Sequence, residues 1–155
     1  MTRSLVFPKI EVRDLQGTDL ILPRDFAGKW NLVIVAFRRG QQRLVDSWVP
    51  HLEAHALGDP EFRFYELPAL ARMWAPARGF MDGGMAAAIK DPVILQRTLT
   101  TYGDLGRVTQ ALSITSRSTI SLFLVNRDGQ VHWKTEGGYR ESAFTDLERV
   151  LATLS

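Results

Sequence analysis

Apolar residues recur at two different spacings along the chain, and each spacing predicts a different secondary structure. Near the N-terminus they occupy alternate positions on both sides of a turn at residues 15–18, at Ile10, Val12, Leu20 and Leu22. This period of two predicts an antiparallel β-hairpin over Lys9–Leu22. The run Leu32–Phe37 is continuously apolar and rich in β-branched residues. Such a run predicts a central strand that is covered on both faces.

A spacing of three and four residues follows this strand. The apolar positions in residues 41–57 are Leu44, Val45, Trp48, Val49, Leu52 and Ala56. They predict an amphipathic helix, which Pro50 should kink because proline removes a backbone hydrogen bond. Phe62, Phe64 and Glu66 then alternate with the residues between them, which predicts a strand that ends before Pro68.

The middle of the chain gives weaker local signals. Residues 69–91 are predicted to hold one or two short helices and a loop, and they concentrate adaptable apolar side chains at Met73, Trp74, Phe80, Met81 and Met85. The β-branched and aromatic run Thr98–Tyr102 predicts a strand. Asp104 is a predicted N-cap for a short helix that ends near Leu112.

The last third of the chain completes an α/β pattern. Residues 120–125 and 130–135 predict a second hairpin around the turn Asn126–Gly129. A final helix from about Ser142 has one apolar stripe, formed by Phe144, Leu147, Val150, Leu151 and Leu154. The order of elements predicts a single α/β domain over residues 1–155, with a mixed central sheet, an N-terminal hairpin and flanking helices.

Composition and charge exclude several classes of function. The 155 residues include no cysteine, which rules out disulfides, thiolate nucleophiles and Cys-ligated zinc in this chain. The formal net charge of +2 is too small to indicate nucleic-acid binding. Residues 1–10 lack an apolar segment of signal-peptide length, and no run reaches the roughly 18 to 20 apolar residues of a membrane span. We therefore expect a cytoplasmic protein that does not insert into membranes.

Four features, taken in chain order, resemble thioredoxin-fold proteins of the peroxiredoxin-like branch. They are the hairpin DLQGTDLILPRDFAGKW, the buried strand NLVIVAF, the helix that contains Pro50, and the hairpin ISLFLVNRDGQVHWK. Together they extend over nearly the whole chain. Within that branch, FRRGQQRLVDSW, TLTTYGD and the late hairpin with Trp133 are similar to the mitochondrial ATP-synthase assembly factor family, whose thioredoxin-like domain is degenerate. The resemblance implies a thioredoxin-like fold and, from the narrower family, a membrane-complex subunit as partner.

The chain departs from thioredoxin-fold oxidoreductases at both of their hallmarks. Their reactive cysteine opens the first helix, whose N-terminus lowers the thiol pKa, whereas that stretch here reads RRGQQR over Arg38–Arg43. Their cis-proline precedes the late strand, and the matching position here is Ile120, preceded by Thr119. A cis bond without proline costs about 2.5 to 4 kcal/mol, so we expect a remodelled substrate groove there. The missing cysteine excludes thiol oxidoreductase and peroxidase activity.

The polar cluster after the central strand is the candidate ligand site. A helix start exposes backbone N–H groups, and guanidinium groups bind carboxylates and phosphates, so the cluster predicts an anion site. The predicted binding residues, including those of the groove, are Arg38, Arg39, Gln41, Gln42, Arg43, Thr119 and Ile120. In an alternative interpretation the arginines are solvated or paired with Asp46, Glu66 or Asp104.

Two other groupings have simpler structural interpretations. His51 and His55 have the four-residue spacing of two metal ligands, but no third ligand is close in sequence, so we interpret them as exposed histidines on a helix face. Ser47 with His51 and Asp46 superficially resembles a hydrolase triad. A mid-helix serine has no oxyanion hole beside it, so we interpret Ser47 as structural. The sequence therefore predicts no metal site and no catalytic residue.

Two hypotheses from different classes follow. The first is a non-redox thioredoxin-like binding or assembly module that recognises a protein or peptide partner, with an exposed apolar patch or a homodimer that covers it. The alternative is a small-anion ligand-binding protein or enzyme that uses Arg38, Arg39, Gln41 and Gln42 at the helix start. We favour the first, because the scaffold is retained while the reactive residue is missing and no cofactor motif replaces it. The residues leave open whether any catalytic activity remains.

Overall fold

The computed structural model describes residues 5–68, 96–101 and 105–154. The strands within these ranges are β1 (Ile10–Asp14), β2 (Asp19–Leu22), β3 (Trp30–Ala36), β4 (Phe62–Pro68), β5 (Leu99–Thr101), β6 (Ser121–Val125) and β7 (Val131–Glu136). The α-helices there are α1 (Gln42–Gly58), α2 (Leu105–Ala111) and α3 (Glu141–Leu154), and a 3-10 turn at Arg39–Gln41 precedes α1. The predicted helices of residues 69–91, Tyr102 and the predicted N-cap Asp104 lie outside the described residues.

The N-terminal hairpin forms as the sequence predicts. β1 pairs antiparallel with β2. Asp14 Oδ1 closes the turn between them by accepting hydrogen bonds from the N–H groups of Gln16 and Thr18, both at 2.9 Å. The other edge of β1 pairs antiparallel with β5, so the hairpin belongs to a three-stranded sheet with the order β2-β1-β5. The sequence predicts a mixed central sheet with an N-terminal hairpin, and the hairpin forms a sheet of its own with β5, which a parallel bridge between Thr98 and Glu66 joins to the central sheet.

The central sheet has four strands in the order β4-β3-β6-β7. β3 pairs parallel with β4 and antiparallel with β6, and β6 pairs antiparallel with β7, so this sheet is mixed, as predicted. Its inner strand β6 is buried along its whole length, and β3 is buried up to Val35. The continuous apolar pattern of both segments reflects this burial on two faces.

Two apolar cores lie on opposite faces of the central sheet, because successive residues of a strand point to opposite sides. On one face α1 and α3 pack against the sheet through Leu32, Ile34, Trp48, Leu52, Leu122, Leu147 and Leu151. On the other face the three-stranded sheet and α2 pack through Val12, Leu22, Val33, Val35, Leu99, Val108 and Phe123. Each fully buried side chain of this kind contributes about 1.5 to 3 kcal/mol relative to exposure. None of the helices in the described ranges is both long enough and apolar enough to cross a membrane.

This topology brings three segments to one end of the central sheet. The carboxyl ends of β3 and β4 lie there because the two strands are parallel, and α1 begins there. Ser121 pairs with Val35, so the loop before β6 reaches the same end. The indole N–H of Trp48 donates to the Gly137 carbonyl oxygen at 2.9 Å and thereby fixes α1 against the turn after β7.

Candidate functional site

Gln41 joins the two loops at this end of the sheet. Its side chain is almost fully buried, with 5% of the residue exposed. Gln41 Oε1 accepts hydrogen bonds from the N–H groups of Phe37 at 2.8 Å and Arg38 at 3.2 Å. Gln41 Nε2 donates to the carbonyl oxygen of Arg117 at 2.8 Å. These three bonds, hereafter the Gln41 clamp, hold the loop after β3 against the loop before β6.

Four exposed arginines lie in these two loops and in the first turn of α1. They are Arg38, Arg39, Arg43 and Arg117, hereafter the arginine face. The guanidinium carbon of Arg117 lies 5.8 Å from the centre of the Phe37 ring. Arg38 and Arg43 form no ion pair with any residue in the described ranges. Positive charge is therefore concentrated where the sequence predicts an anion site.

The two predicted groove residues reach the same end of the sheet. Ile120 is fully buried, and its carbonyl oxygen accepts a hydrogen bond from the Gly137 N–H at 2.9 Å. Thr119 is half-buried. Among the described residues the cis peptide bond precedes Pro23, so the bond before Ile120 is trans. Thr119 and Ile120 thus lie near the Gln41 clamp, and whether they bind a partner stays a prediction.

Gln42 and Glu66 form a second polar group beside the arginine face. Gln42 Nε2 donates to Asp46 Oδ1 at 3.0 Å, so Gln42 and Asp46 already bind each other. Burial raises the pKa of Glu66, and the negative charge of Asp46 raises it further. The positive charge of Arg97 and a hydrogen bond from Gln42 lower this pKa, but each of these effects is smaller than that of burial. The Glu66 carboxyl therefore holds a proton more tightly than an exposed glutamate does, but this property does not by itself define a reaction.

The sequence interpretation missed the environment of Glu66. The available signal was the alternation with Phe62 and Phe64, which places Glu66 on the same face of β4 as two buried aromatic residues. Its neighbour Tyr65 is buried on the opposite face, and its hydroxyl oxygen accepts a hydrogen bond from the Ala27 N–H at 2.9 Å. Burial raises the pKa of Tyr65, so this hydroxyl is held as a neutral structural group.

The histidines of α1 are half-buried, which corrects the prediction that they are exposed. His51 stacks on Tyr139, with 3.7 Å between ring centres and 5° between ring planes. His55 contacts Phe62 edge-on at 4.8 Å between ring centres. Both aromatic partners come from other elements, so the pattern of α1 could not reveal them. Across the described ranges, no cluster of three or more His, Asp or Glu residues could hold a metal ion.

Ser47 has a structural role, as the sequence interpretation states. Its hydroxyl donates to the Leu44 carbonyl oxygen at 2.5 Å and accepts from the Tyr139 N–H at 2.9 Å. Both hydrogen bonds go to backbone groups. Ser47 therefore anchors the turn before α3.

Comparisons with known proteins address the fold and leave the activity open. The chain matches no protein-family model and no curated protein sequence. A thiol:disulfide interchange protein from Bacteroides sp. is 20% identical, with a TM-score of 0.62 over 96% of this chain and 88% of its own. An exposed lipoprotein thioredoxin from Streptococcus pneumoniae is 10% identical, with a TM-score of 0.60 over 92% of this chain and 98% of its own. BsSco, a member of the Sco family of cytochrome c oxidase assembly proteins, is 10% identical, with a TM-score of 0.65 over 96% of this chain and 93% of its own.

The chain has a thioredoxin-like fold, which confirms the fold implied by the sequence resemblance. At these identities the structural similarity shows the fold alone. The narrower similarity to ATP-synthase assembly factors stays a prediction, since no family model matches the chain.

Proposed function

We propose that the chain is a non-redox binding module with a thioredoxin-like fold that recognises an acidic segment of a protein partner through the arginine face. The observation that carries the proposal is the cluster of exposed arginines at the carboxyl end of the central strand. Ligands of open α/β sheets usually bind at this end. The complete sequence contains no cysteine, so the chain itself supplies no thiol chemistry at this position.

A protein segment suits this surface better than a small anion. The polar atoms of the Gln41 side chain are engaged by backbone groups, so a ligand would meet exposed guanidinium groups instead. An exposed pair between arginine and carboxylate contributes only about 0.2 to 1 kcal/mol. A single small carboxylate would therefore bind weakly, whereas a segment with several carboxylates gains from several such contacts.

A binding or assembly role is compatible with this fold. The neighbour BsSco is a member of a family of assembly proteins, although its low identity carries no function over to this chain. The same proposal includes the predicted role of Thr119 and Ile120 beside the arginine face. A partner that is a subunit of a membrane complex, as the sequence resemblance implies, is the narrower form of the proposal.

The experiment measures binding of a fluorescein-labelled deca-glutamate peptide by fluorescence polarisation at low ionic strength. Replacing Arg38 and Arg43 together by alanine should weaken binding at least fivefold. The matched control replaces Arg24 and Arg149, whose side chains are both 70% exposed, and removes the same charge elsewhere. The control should change the dissociation constant less than twofold.

Two results would contradict the proposal. Equal weakening in both double variants would mean that the peptide responds to net charge and not to the arginine face. No saturable binding at low salt would also reject an acidic partner. If inorganic phosphate raises the melting temperature saturably, and only while Arg38 and Arg43 are present, the small-anion alternative replaces the proposal.

A further inference from the structure

A cavity of about 670 Å³ lies beside the outer edge of β4, between the N-terminal hairpin and the second half of α1. Its volume is in the range of about 300 to 1,000 Å³ that is usual for ligand pockets. A parallel bridge between Thr98 and Glu66 places Arg97 at this edge, and Arg97 forms part of the cavity wall. No residue of the arginine face belongs to the described part of this wall. We refer to this space as the Arg97 cavity.

Arg97 is a buried cation that forms no hydrogen bond with any described residue. The residue is 9% exposed, and its buried Nε has no hydrogen-bond partner. Glu53 Oε2 lies 3.6 Å from Nη1, which is an ion-pair distance but longer than a hydrogen bond. The more exposed Arg127, by contrast, donates to the carbonyl oxygens of Phe26 at 3.0 Å and Ala27 at 2.6 Å. Because buried charges are normally both paired and hydrogen-bonded, the guanidinium group of Arg97 has unused donors.

The neighbours of Arg97 hold its side chain in place but balance its charge incompletely. The guanidinium carbon lies 4.6 Å from the centre of the Phe64 ring, so an aromatic face covers one side of the cation. The side chain of Glu53 is 51% exposed, so water screens its charge. The charge of Glu66 also acts on Arg97, but burial raises the pKa of Glu66 and thereby disfavours its ionised form. A further acceptor with a negative charge would complete the surroundings of Arg97.

From this arrangement we infer that the Arg97 cavity binds a small monocarboxylic acid with an apolar body, whose carboxylate accepts hydrogen bonds from the guanidinium group of Arg97. A guanidinium group presents its donors in a planar fork that matches the two oxygens of a carboxylate. The apolar body of the ligand would contact the apolar part of the wall, formed by Leu20, Ala27, Ala56, Leu57 and Phe64. The wall also contains three carboxylates, which disfavour a ligand with more than one negative charge, at Asp14, Asp25 and Glu53.

The test measures binding to the complete chain by isothermal titration calorimetry at pH 7. The probes are octanoate and 4-phenylbutyrate, two monocarboxylates with an aliphatic and an aromatic body. At least one of them should bind saturably. The amide of the same acid should bind at least tenfold more weakly, because it has the same apolar body without the negative charge.

Arg97→Met distinguishes a ligand-binding arginine from a structural one. Because Arg97 is buried without a hydrogen bond, the variant should keep or raise the melting temperature while it weakens carboxylate binding at least tenfold. The matched control is Arg149→Met, which removes the same charge at a 70% exposed side chain outside the cavity. This control should change the dissociation constant less than twofold. A lower melting temperature with unchanged binding would identify Arg97 as structural and overturn the inference.

Two alanines of α1 test the cavity while Arg97 stays in place. Ala56→Trp places a large ring in the wall and should weaken carboxylate binding at least fivefold, whereas Ala54→Trp, at an exposed position outside the described wall, should not. The inference is also overturned if neither carboxylate binds, if the amide binds equally well, or if both tryptophan variants weaken binding equally. Arg38→Ala with Arg43→Ala should leave this binding intact, so failure of the arginine-face proposal and failure of this inference are distinguishable.

Discussion

Replacing Gln41 by leucine removes the Gln41 clamp while it keeps a side chain of similar size. The N–H of Phe37 then loses its acceptor in a buried position, which costs about 1 to 3 kcal/mol. Arg38 and Arg117 are exposed, so their freed backbone groups can bond to water, and each lost hydrogen bond costs about 0.5 to 1.5 kcal/mol net. The variant should therefore lower the free energy of unfolding by about 2 to 6 kcal/mol, a large part of the roughly 5 to 15 kcal/mol of an ordinary domain.

Urea denaturation at pH 7 measures this loss as a lower midpoint at an unchanged slope. The matched control is Gln110→Leu, at an exposed position of α2, which should change stability by no more than about 0.5 kcal/mol. The Gln41 variant should also bind the deca-glutamate peptide more weakly, since the loops that carry the arginine face are no longer fixed. A change in stability below about 0.5 kcal/mol for Gln41→Leu would refute the reasoning that the clamp holds the two loops together.

Three further predictions concern stability. Tyr65→Phe removes the acceptor of the Ala27 N–H and should cost about 0.5 to 1.5 kcal/mol in urea denaturation; an unchanged midpoint would contradict this. Burial raises the pKa of Glu66 in the folded protein. The contribution of Glu66 to the free energy of unfolding should therefore be complete below the pKa that Glu66 has in the unfolded chain, and it should be lost as the pH rises through the pKa of Glu66 in the folded protein. Glu66→Gln should not show this loss and should be more stable than the parent at pH 7. A difference in the free energy of unfolding between variant and parent that does not vary with pH would contradict the prediction. Gly28→Ala places a Cβ 2.8 Å from a backbone oxygen and should cost about 1 to 3 kcal/mol by thermal denaturation, whereas Gly58→Ala, with no atom within 4 Å, should not destabilise.

Local patterns in the sequence predict most of the described elements, because burial on one or two faces leaves a periodic signal. The helix expected over residues 41–57 is α1, Gln42–Gly58, and the last helix begins at Glu141, one residue before the predicted start. The division into two sheets was not predicted. The strand β5 was predicted, but its pairing with β1 joins segments far apart in sequence, which no local pattern shows.

The candidate site could be predicted in its location and only partly in its chemistry. The rule that α/β sheets bind ligands at the carboxyl ends of their strands led to the loop with Arg38 and Arg39. The role of Gln41 depends on Arg117, which lies 76 residues away in sequence, so no local motif could indicate it.

The hydrogen bonds of Gln41 connect the architecture of this loop with the absence of thiol chemistry. An amide side chain can accept two hydrogen bonds through its oxygen and donate through its nitrogen, and Gln41 does both. A cysteine at position 41 would offer one weak donor and one weak acceptor, so it could not hold both loops. It would also be buried, whereas a reactive thiolate needs access to its substrate. A loop that is fixed and presents arginines therefore requires a different side chain at the start of α1 from a loop that presents a reactive thiol. Gln41 is the side chain that suits the fixed loop with arginines.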